Sequence, residues 1–394
     1  MSKWSTVSLG DLLRLERRKV KVEPEKLYQE IGIYCFGRGI FHKTPRTGFE
    51  VGDKDLFLMK EGDFILQVTF AWEGAIAIVS AAEDGMYGST RYPTFRVDEN
   101  RCETKFLLNY FKTDEGLQQL VKICPGSAGR NRVLSIKRIP EVLVPLPPLA
   151  EQRRVVARIE ALAAQIGEAR TLRHQAAEEA EALVHANRNR SFRVLSSQCS
   201  PCRLDSVAAC RLGKMLDPRF KTGVGSTPYL RNANVQWDRL DLNDVFQMDF
   251  KDEERAEFAL ESGDILVCEG GDIGKAAMWN NEIPGCCYQK ALHRVRCNRE
   301  QALPRFMLHH LFWAANEGHW HEIKTQTTIP HLTGIKLKAY QVFVPPIPEQ
   351  RRIVNELDTL QAEVDALKRL QAETAAELDA LLPAILDRAF KGEL

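Results

Sequence analysis

The chain has 394 residues, with 54 lysines and arginines, 53 aspartates and glutamates, and a formal net charge of +1 at pH 7. This length fits two globular domains with helical connections, and the even charge excludes a polycation that binds nucleic acid through bulk charge alone, so any such surface must be local. No apolar run reaches the ~20 residues of a membrane span, and the start of the chain lacks the form of a signal peptide, which predicts a cytoplasmic protein without a membrane partner.

Residues 1–146 are predicted to form a first globular domain of mixed helix and strand. A short element is expected at 9–15, and apolar runs at 55–69 and 74–80 predict strands. Residues 106–121 have the apolar spacing of a helix. A stretch at 126–138 with four basic residues and no acid precedes a strand-like segment at 142–145.

A long helix is predicted at residues 147–192. It begins with Pro-Pro-Leu-Ala-Glu-Gln-Arg-Arg, and prolines at this position fix the direction in which the chain leaves the domain. Apolar residues then follow at steps of four and three, the pattern of a heptad seam, which Arg173 interrupts. The predicted seam residues are Val155, Ile159, Leu162, Ile166, Ala169, Ala176, Ala180 and Leu183.

Residues 193–344 are predicted to form a second globular domain that repeats the first loosely. Gly62-Asp63 returns at 263–264, the glycine-led run at 74–77 returns at 274–277, and Arg96-Val97 is matched with Arg294-Val295. The offsets drift between 198 and 201 residues. This drift predicts two diverged copies of one fold with small insertions in the loops.

Residues 345–394 repeat the long helix at a constant offset of 198, and Gln371 takes the position of Arg173. Two narrow apolar seams of equal length predict two helices that pair as an antiparallel coiled coil. The predicted pairing residues are Ile159, Leu162, Ile166, Arg173, Leu357, Leu360, Val364 and Gln371. The expected fold is therefore α+β, with two similar globular domains, two long paired helices and an internal pseudo-twofold repeat.

The sequence contains no motif that predicts catalysis, a metal or a cofactor. The glycine-rich run at 270–276 lacks the spacing and the hydroxyl residue of a phosphate-binding loop. His319 and His321 form a dense pair, but such pairs are more often packed or surface residues than metal ligands. Of ten scattered cysteines only Cys199 and Cys202 have metal-like spacing, and we expect reduced thiols, many of them buried.

The repeated helices and their boundaries resemble the specificity subunit of type I restriction-modification systems. The matching segments are 145–156, 229–235, 345–354 and 381–394, and the family's order of target-recognition domain and helix, twice over, spans the whole chain. A Thr-Gln-Thr-Thr-Ile segment at 325–329 fits the family's approach to the second helix. In the first domain, residues 126–132 replace that segment.

The resemblance implies a non-catalytic subunit that binds double-stranded DNA. Target-recognition domains at 1–146 and 193–344 would each read one half of a bipartite site. Spacer helices at 147–192 and 345–394 would set the gap and dock two methyltransferase subunits, joined in the full complex by restriction subunits. A helix of about 36 residues spans ~54 Å, or ~15 base pairs, which suits two separated half-sites.

Candidate DNA contacts are basic, amide or hydroxyl side chains on loops, because phosphate contacts position a protein and base-edge contacts specify the sequence. In the first domain the candidates are Arg38, Lys43, Arg46, Arg130, Arg132 and Lys137. In the second domain they are Arg231, Asn234, Lys290, Lys324, Gln326, Thr327 and Lys336.

Two other classes of protein compete with this interpretation. A coiled-coil scaffold would use the same helices only for interaction and would show no DNA specificity. A stand-alone DNA-modifying enzyme would need a methyl-donor or metal site, which the sequence lacks. The polar positions Arg173 and Gln371 further predict that the two helices meet there and that this pair fixes their register.

Overall fold

The computed structural model describes residues 4–126, 132–215, 226–322 and 331–394, without the side chains of residues 321 and 322. The chain forms two compact units, unit 1 with residues 1–174 and 371–394 and unit 2 with residues 175–370. Each unit therefore contains one globular domain, the first part of the helix that follows it, and the end of the other long helical segment.

A four-stranded antiparallel sheet lies at the centre of unit 1. Its strands, in spatial order, are Ile76–Ile78, Phe64–Leu66, Thr94–Val97 and Leu13–Glu16. Phe64 packs in the main core and Ile65 in a separate apolar cluster, because successive side chains of a strand point to opposite faces. Both faces are covered, which explains the unbroken apolar run that the sequence shows here.

The remaining elements of unit 1 surround this sheet. A second sheet contains Tyr87–Ser89, Leu56–Leu58 and Lys19–Val20, and two-stranded pairs join Thr6–Ser8 with Leu143–Pro145, Leu27–Tyr28 with Arg46–Thr47, and Ile31–Ile33 with Ile40–His42. The α-helices are Gly48–Val51, Thr104–Tyr110 and Asp114–Lys122, and the 3-10 helices are Leu9–Asp11, Ala71–Glu73 and Ile136–Glu141.

Unit 2 has a central sheet with the same strand order. Its strands are Ala276–Met278, Ile265–Cys268, Leu292–Cys297 and Ala208–Leu212. Further strands are Phe246–Asp249, Ser226–Leu230 and Cys287–Tyr288 in one sheet, and the pairs Cys202–Arg203 with Gln341–Val342 and Val235–Gln236 with Arg239–Leu240. Its helices are Leu204–Val207, Asn232–Asn234 (3-10), Asp252–Phe258, Pro304–Asn316, His319–Glu322 and Gly334–Ala339. The predicted α+β class with an internal repeat is confirmed.

The repeated Gly-Asp pair forms the turn before a central strand in both units. The carboxylates of Asp63 and Asp264 are fully buried, and each caps the turn by accepting a backbone amide hydrogen bond. Asp63 pairs with Arg96 at 3.0 Å, and Asp264 pairs with Arg296 at 2.7 Å. The structural counterpart of Arg96 is therefore Arg296. The predicted alignment of Arg96 with Arg294 was wrong by two residues, the interval at which side chains return to the same face of a strand.

The long helices pair antiparallel inside each unit. The first runs over Leu149–Gln198, and in unit 1 its Arg170 pairs with Asp379 at 2.6 Å. The C-terminal segment, predicted as one helix, is two helices, Ile347–Glu373 and Ala375–Phe390. In an unbroken helix the Gln371 carbonyl would accept from the backbone amide of residue 375. Here it accepts from Arg173 Nη2 at 2.6 Å, which accounts for the break.

The buried stripe of the first long helix follows the predicted seam only as far as Arg173. Val155, Ile159 and Ile166 are buried, but beyond Arg173 the buried stripe resumes at Val184 and continues through residues 188, 192 and 195, while the predicted Leu183 is 52% exposed. Leu381, the repeat counterpart of Leu183, is 45% exposed. The apolar positions of a heptad recur on average every 3.5 residues, whereas a straight helix has 3.6 residues per turn. The buried stripe of a straight helix therefore shifts relative to the heptad positions, and the prediction fails at both leucines.

Each long helical segment places an aromatic residue from near its C-terminal end in a domain core. Phe390 contacts Phe106 and Tyr110 in unit 1, with ring centres 4.9 and 5.4 Å apart. Phe192 contacts Phe306 and stacks on Trp313 in unit 2, at 5.4 and 5.7 Å. None of the helices within the described ranges has both the length and the apolar content needed to cross a membrane.

Candidate nucleic-acid interface

The chain segments at one end of the central sheet of unit 1 are joined by backbone hydrogen bonds. The amide of Phe36 donates to the Glu73 carbonyl at 2.8 Å, and the amide of Leu134 donates to the Val68 carbonyl at 2.8 Å. The amide of Val68 donates to the Arg91 carbonyl at 2.9 Å. Residues 34–39, 67–75, 89–92 and 132–134 thus form one surface, the loop face of unit 1.

Two of the predicted arginines lie on this loop face and stack on aromatic rings. The guanidinium of Arg38 is 5.3 Å from the ring centre of Tyr34, and that of Arg132 is 5.4 Å from the ring centre of Trp72. Neither arginine forms an ion pair with a carboxylate within the part of the chain that the structure describes. Their charge is therefore available to an anionic partner, while the rings limit their motion.

A polar pocket of about 450 Å³ adjoins the loop face of unit 1 and holds two more candidates. Its wall includes the carboxylate of Glu30, which is 5% exposed and pairs with Arg46 and, at 3.6 Å, with Lys43. The ammonium of Lys43 also lies 5.5 Å from the ring centre of Tyr92. The structure therefore brings Lys43 and Arg46 together around one buried acid.

Lys54 and Arg91 also line the pocket, and neither is among the residues predicted from the sequence. Both are exposed and, among the described residues, neither has a carboxylate partner. The polar run Ser-Thr-Arg-Tyr at 89–92, just before the strand Thr94–Val97, was the available signal. With these two residues the pocket has four cationic side chains against Glu30 and Asp55, and its net charge is positive.

Of the two remaining candidates of the first domain, the structure describes Lys137. Lys137 is exposed on the 3-10 helix Ile136–Glu141, which follows Leu134 in the chain. Arg138, its neighbour, is occupied by Glu141 through hydrogen bonds of 2.9 and 3.0 Å. Arg130 lies outside the described residues, two positions before Arg132.

Unit 2 repeats the backbone hydrogen bonds of the first loop face. The amide of Glu269 donates to the Ala291 carbonyl at 3.0 Å, and the amide of Leu332 donates to the Glu269 carbonyl at 2.8 Å. We call residues 268–275, 289–292 and 331–332 the loop face of unit 2. Lys290, one of the predicted contacts, is exposed on this face beside Ala291.

Arg231 and Asn234 have structural partners in unit 2. The guanidinium of Arg231 pairs with Asp244 at 2.7 Å and lies 3.5 Å from the ring centre of Phe246. Asn234 is 2% exposed, and its amide accepts from the Arg231 backbone and donates to the carbonyls of Asp241 and Asp244. Because its hydrogen-bonding groups are used internally, the described conformation does not present Asn234 to DNA.

Lys336 lies half-buried on the helix Gly334–Ala339, which follows the loop face of unit 2. Lys324, Gln326 and Thr327 lie outside the described residues, as does the rest of the Thr-Gln-Thr-Thr-Ile segment.

The glycine-rich run and His319 have packing roles in unit 2, and the side chain of His321 lies outside the described part of the chain. Lys275 pairs with Asp272 at 2.6 Å, and the absent side chain of Gly274 leaves room for Trp320. His319 Nδ1 lies 3.0 Å from the Tyr340 hydroxyl. Within the described ranges no group of three or more His, Cys, Asp and Glu side chains is arranged to hold a metal ion, and all ten cysteines are free thiols.

The predicted helix-pairing residues lie in the two antiparallel pairings. Ile159 and Ile166 are buried and Leu162 is half-buried in unit 1, and Leu357 and Val364 are buried and Leu360 is half-buried in unit 2. Arg173 and Gln371 contact each other, because Arg173 donates to the Gln371 carbonyl at 2.6 Å and Gln371 Nε2 donates to the Arg173 carbonyl at 3.0 Å. Each side chain thus binds the backbone of the opposite helix.

A family model described as the type I restriction modification DNA specificity domain matches this chain over residues 1–175 and 200–375. The specificity subunit of the type I restriction enzyme EcoKI of Escherichia coli strain K12 is 25% identical over 294 residues, 69% of this chain and 62% of that protein. The StySPI specificity subunit of Salmonella potsdam is 24% identical over 299 residues, with the same two shares. The alignments thus span less than two thirds of the length of these two relatives.

Two solved structures have a similar fold over nearly the whole chain. The crystal structure of the HsdS subunit from Thermoanaerobacter tengcongensis has a TM-score of 0.68 and 27% identity and covers 99% of this chain and 97% of that chain. A chain of a type I R-M system, from a structure that addresses complex assembly and conformational transition, has a TM-score of 0.71 and 26% identity and covers 99% and 98%.

Proposed function

Because this chain belongs to the type I restriction-modification DNA specificity family, with a match in each half, we propose that it is the non-catalytic subunit that gives such a complex its DNA sequence specificity. Each globular domain reads one half of a bipartite site in double-stranded DNA. The long helices set the gap between the half-sites and dock two methyltransferase subunits. Restriction subunits that translocate and cut DNA join this core in the full complex.

One observation carries the proposal: the two units have equivalent loop faces. The hydrogen bonds around Val68 in unit 1 and around Glu269 in unit 2 join corresponding chain segments, although the side chains on the two faces differ. A repeated scaffold with different side chains is the arrangement expected of two readers that recognise different half-sites. The invariant part would position each reader, and the variable part would specify the bases.

Charge on the loop face of unit 1 and in its adjoining pocket suits DNA despite the nearly neutral chain. In unit 1, Arg38, Arg132, Lys54 and Arg91 present cations without carboxylate partners among the described residues. Phosphate contacts by such side chains release counterions from the duplex, which makes binding strong at low salt and weak at high salt. We assign these four residues to the DNA backbone and the neighbouring amide, hydroxyl and aromatic groups to base recognition.

Exposed leucines on the long helices support docking of two copies of one partner. Leu172 is 57% exposed and its repeat counterpart Leu370 is 58% exposed, while Leu183 and Leu381 are 52% and 45% exposed. Unit 1 contains Leu172 and Leu381, and unit 2 contains Leu183 and Leu370. Each unit therefore has one member of each of the two repeat pairs. Exposed apolar side chains that occur in equivalent positions of both units fit protein contacts with two identical methyltransferase subunits.

A domain exchange tests the half-site proposal. Residues 193–344 are replaced by the second target-recognition domain of a family member of known specificity, in cells that contain the matching methyltransferase. Sequencing of methylated DNA is expected to show a bipartite motif in which one half changes while the other half and the gap stay the same. The reciprocal exchange of residues 1–146 is the matched control and is expected to change the opposite half.

The result separates this proposal from its rivals. A motif that is unchanged, or one that changes in both halves after a single exchange, contradicts separate half-site reading. Methylation that does not depend on the chain at all would support the coiled-coil scaffold instead. Methyl transfer by the purified chain without a partner would establish an enzyme.

A further inference from the structure

Phe36 has a backbone conformation that a bulky side chain rarely adopts. Its φ is +61°, and within the described residues the other non-glycine positions with positive φ are Asp238 and Asn281. Aspartate and asparagine tolerate this region because their short polar side chains bond locally, whereas for phenylalanine the conformation is strained. Strain of this kind persists only where the surrounding structure enforces it.

Backbone hydrogen bonds enforce the conformation of Phe36. Its amide donates to the Glu73 carbonyl at 2.8 Å, and the next amide, of Gly37, donates to the Gly74 carbonyl at 2.9 Å. The turn is closed by the amide of Tyr34, which donates to the Gly39 carbonyl at 2.9 Å. The tip of the hairpin formed by Ile31–Ile33 and Ile40–His42 is therefore fixed on the loop Ala71–Glu73, and Phe36 stands at this tip.

The ring that this strained backbone presents is exposed. Phe36 is 73% exposed, and no aromatic partner packs on it among the described residues. The side chain thus contributes little to the core, and the strain has no compensation in packing. An exposed aromatic residue on an enforced, strained turn indicates a contact with something outside the chain.

The neighbours of Phe36 identify the chemistry of that contact. Arg38 lies two residues away and stacks on Tyr34, and Arg132 stacks on Trp72 in the loop that holds Phe36. An exposed apolar ring on the same loop face as two stacked cations matches the two requirements of a duplex, a stack of bases and the phosphates that flank it. Phe49 is a useful contrast, because it is 85% exposed but lies on the regular, capped helix Gly48–Val51 beside Glu50.

We propose that Phe36 is a wedge that inserts its ring between adjacent base pairs of the half-site bound by unit 1, with Arg38 and Arg132 on the flanking phosphates. This inference rests on the proposed DNA binding and adds how unit 1 engages the duplex. Inserted apolar side chains unstack one base step and kink the DNA, so recognition then also depends on how easily that step deforms. Phe36 would contribute to specificity without hydrogen-bonding a base.

The test uses the full chain with its methyltransferase subunits and duplexes that contain the methylated motif, with 2-aminopurine placed at successive positions of the half-site assigned to unit 1. Wild type is expected to raise 2-aminopurine fluorescence at one step, because unstacking removes the quenching by neighbouring bases. Phe36→Ala is expected to lose this rise and to bind about tenfold more weakly, in line with the stacking contribution of one aromatic residue. Phe49→Ala is the matched control and is expected to behave as wild type.

Further variants separate a wedge from a structural role. Phe36→Asn keeps a residue that tolerates positive φ and is expected to preserve or raise the melting temperature while it loses the fluorescence rise. Phe36→Trp is expected to keep the rise. Wild-type affinity together with an unchanged fluorescence rise in Phe36→Ala would overturn the wedge and leave the proposed function intact. A wild-type complex that does not bind the duplex would overturn both.

Discussion

Gln152 and Gln350, which stand 198 positions apart, make the same three hydrogen bonds. Gln152 Oε1 accepts from the backbone amide of Glu103 at 2.8 Å, and its Nε2 donates to the carbonyls of Arg101 at 2.9 Å and Pro147 at 2.8 Å. Gln350 Oε1 accepts from the backbone amide of Leu303 at 2.8 Å, and its Nε2 donates to the carbonyls of residues 301 and 345 at 2.7 and 2.8 Å. Both side chains are fully buried.

The first prediction concerns these two glutamines. Gln152→Ala or Gln350→Ala leaves one amide and two carbonyls without partners in a buried site, and we expect each variant to lose about 2–4 kcal/mol of the free energy of unfolding. Urea unfolding measures the loss. Gln361→Ala is the control, because its hydrogen bond to Asp365 is exposed, and it is expected to change stability by less than about 0.5 kcal/mol. Equal stability of all three variants would contradict a locking role for the glutamines.

The second prediction concerns the polar contact between the long helices. Arg173 donates to the Gln371 carbonyl and to the Thr374 hydroxyl, so replacing Arg173 and Gln371 by leucine removes the bonds that fix one register. We expect the double variant to unfold at equal or higher urea concentration, because a polar pair in an apolar seam costs stability. We also expect its methylated motif to show more than one gap length. A single unchanged gap would contradict the register hypothesis.

The third prediction concerns salt dependence. Replacing Arg130 and Arg132 by alanine is expected to weaken DNA binding by the assembled complex and to reduce the slope of log affinity against log salt by about 1–2, because each phosphate contact contributes about 0.9. Titrations at several salt concentrations measure the slope. Arg14→Ala is the control, since its exposed side chain pairs with Glu16 on the strand Leu13–Glu16. Unchanged affinity and slope in the double variant would exclude both arginines as contacts.

The fourth prediction concerns partner docking. Leu172→Asp with Leu381→Asp is expected to remove one methyltransferase binding site, so that the stoichiometry measured by native mass spectrometry falls from two to one. Leu183→Asp with Leu370→Asp is expected to have the same effect through unit 2. Leu143, 48% exposed on the strand Leu143–Pro145, is the control, and its aspartate variant is expected to keep both subunits. Two bound subunits in all variants would assign docking to another surface.

The fifth prediction concerns acid stability. Burial by itself would raise the pKa of Asp358. Hydrogen bonds from His309, at 2.9 Å, and from Arg305 outweigh this effect and lower the pKa to about 2. Burial also lowers the pKa of His309 from its usual 6.5. Both pKa values are lower in the folded than in the unfolded chain, so this stabilisation is complete above about pH 6.5 and is lost as the pH falls.

Urea unfolding between pH 7 and pH 4 tests this sign. The free energy of unfolding is expected to decline with falling pH, and His309→Asn, which carries the residue found at the repeat position Asn109, is expected to decline less. The slopes of the free energy of unfolding against pH are expected to differ between wild type and variant by up to one bound proton, or about 1.4 kcal/mol per pH unit. Parallel curves for wild type and variant would show that His309 is equally protonated in the folded and unfolded chains.

Much of the architecture was predictable because it depends on local patterns. Apolar spacing predicted the long helices, the offset of 198 predicted the repeat, and the absence of chemical motifs directed attention to binding. Burial of Phe64 and Leu66, or of Ile265 and Val267, follows from the same short runs. These features need only the order of residues within one helix or strand.

The tertiary structure alone decided which candidate side chains are available. Arg231 and Arg38 look alike in sequence, but only Arg231 has an aspartate beside it, and Asn234 turns inward to bind its own loop. Partners of this kind come from other elements of the fold, so no local pattern reports them. The loop faces likewise join segments that are distant in the chain.

The same distinction explains the helices. The sequence by itself determined that two helices pair and that Arg173 and Gln371 share a position in the repeat, because periodicity is a property of each helix alone. Only the tertiary structure decided that the partner helix breaks at Thr374, that Val184 replaces Leu183 in the buried stripe, and that Phe36 is held in a strained, exposed turn. Each of these depends on hydrogen bonds and contacts with a second element, whose position the sequence of the first does not contain.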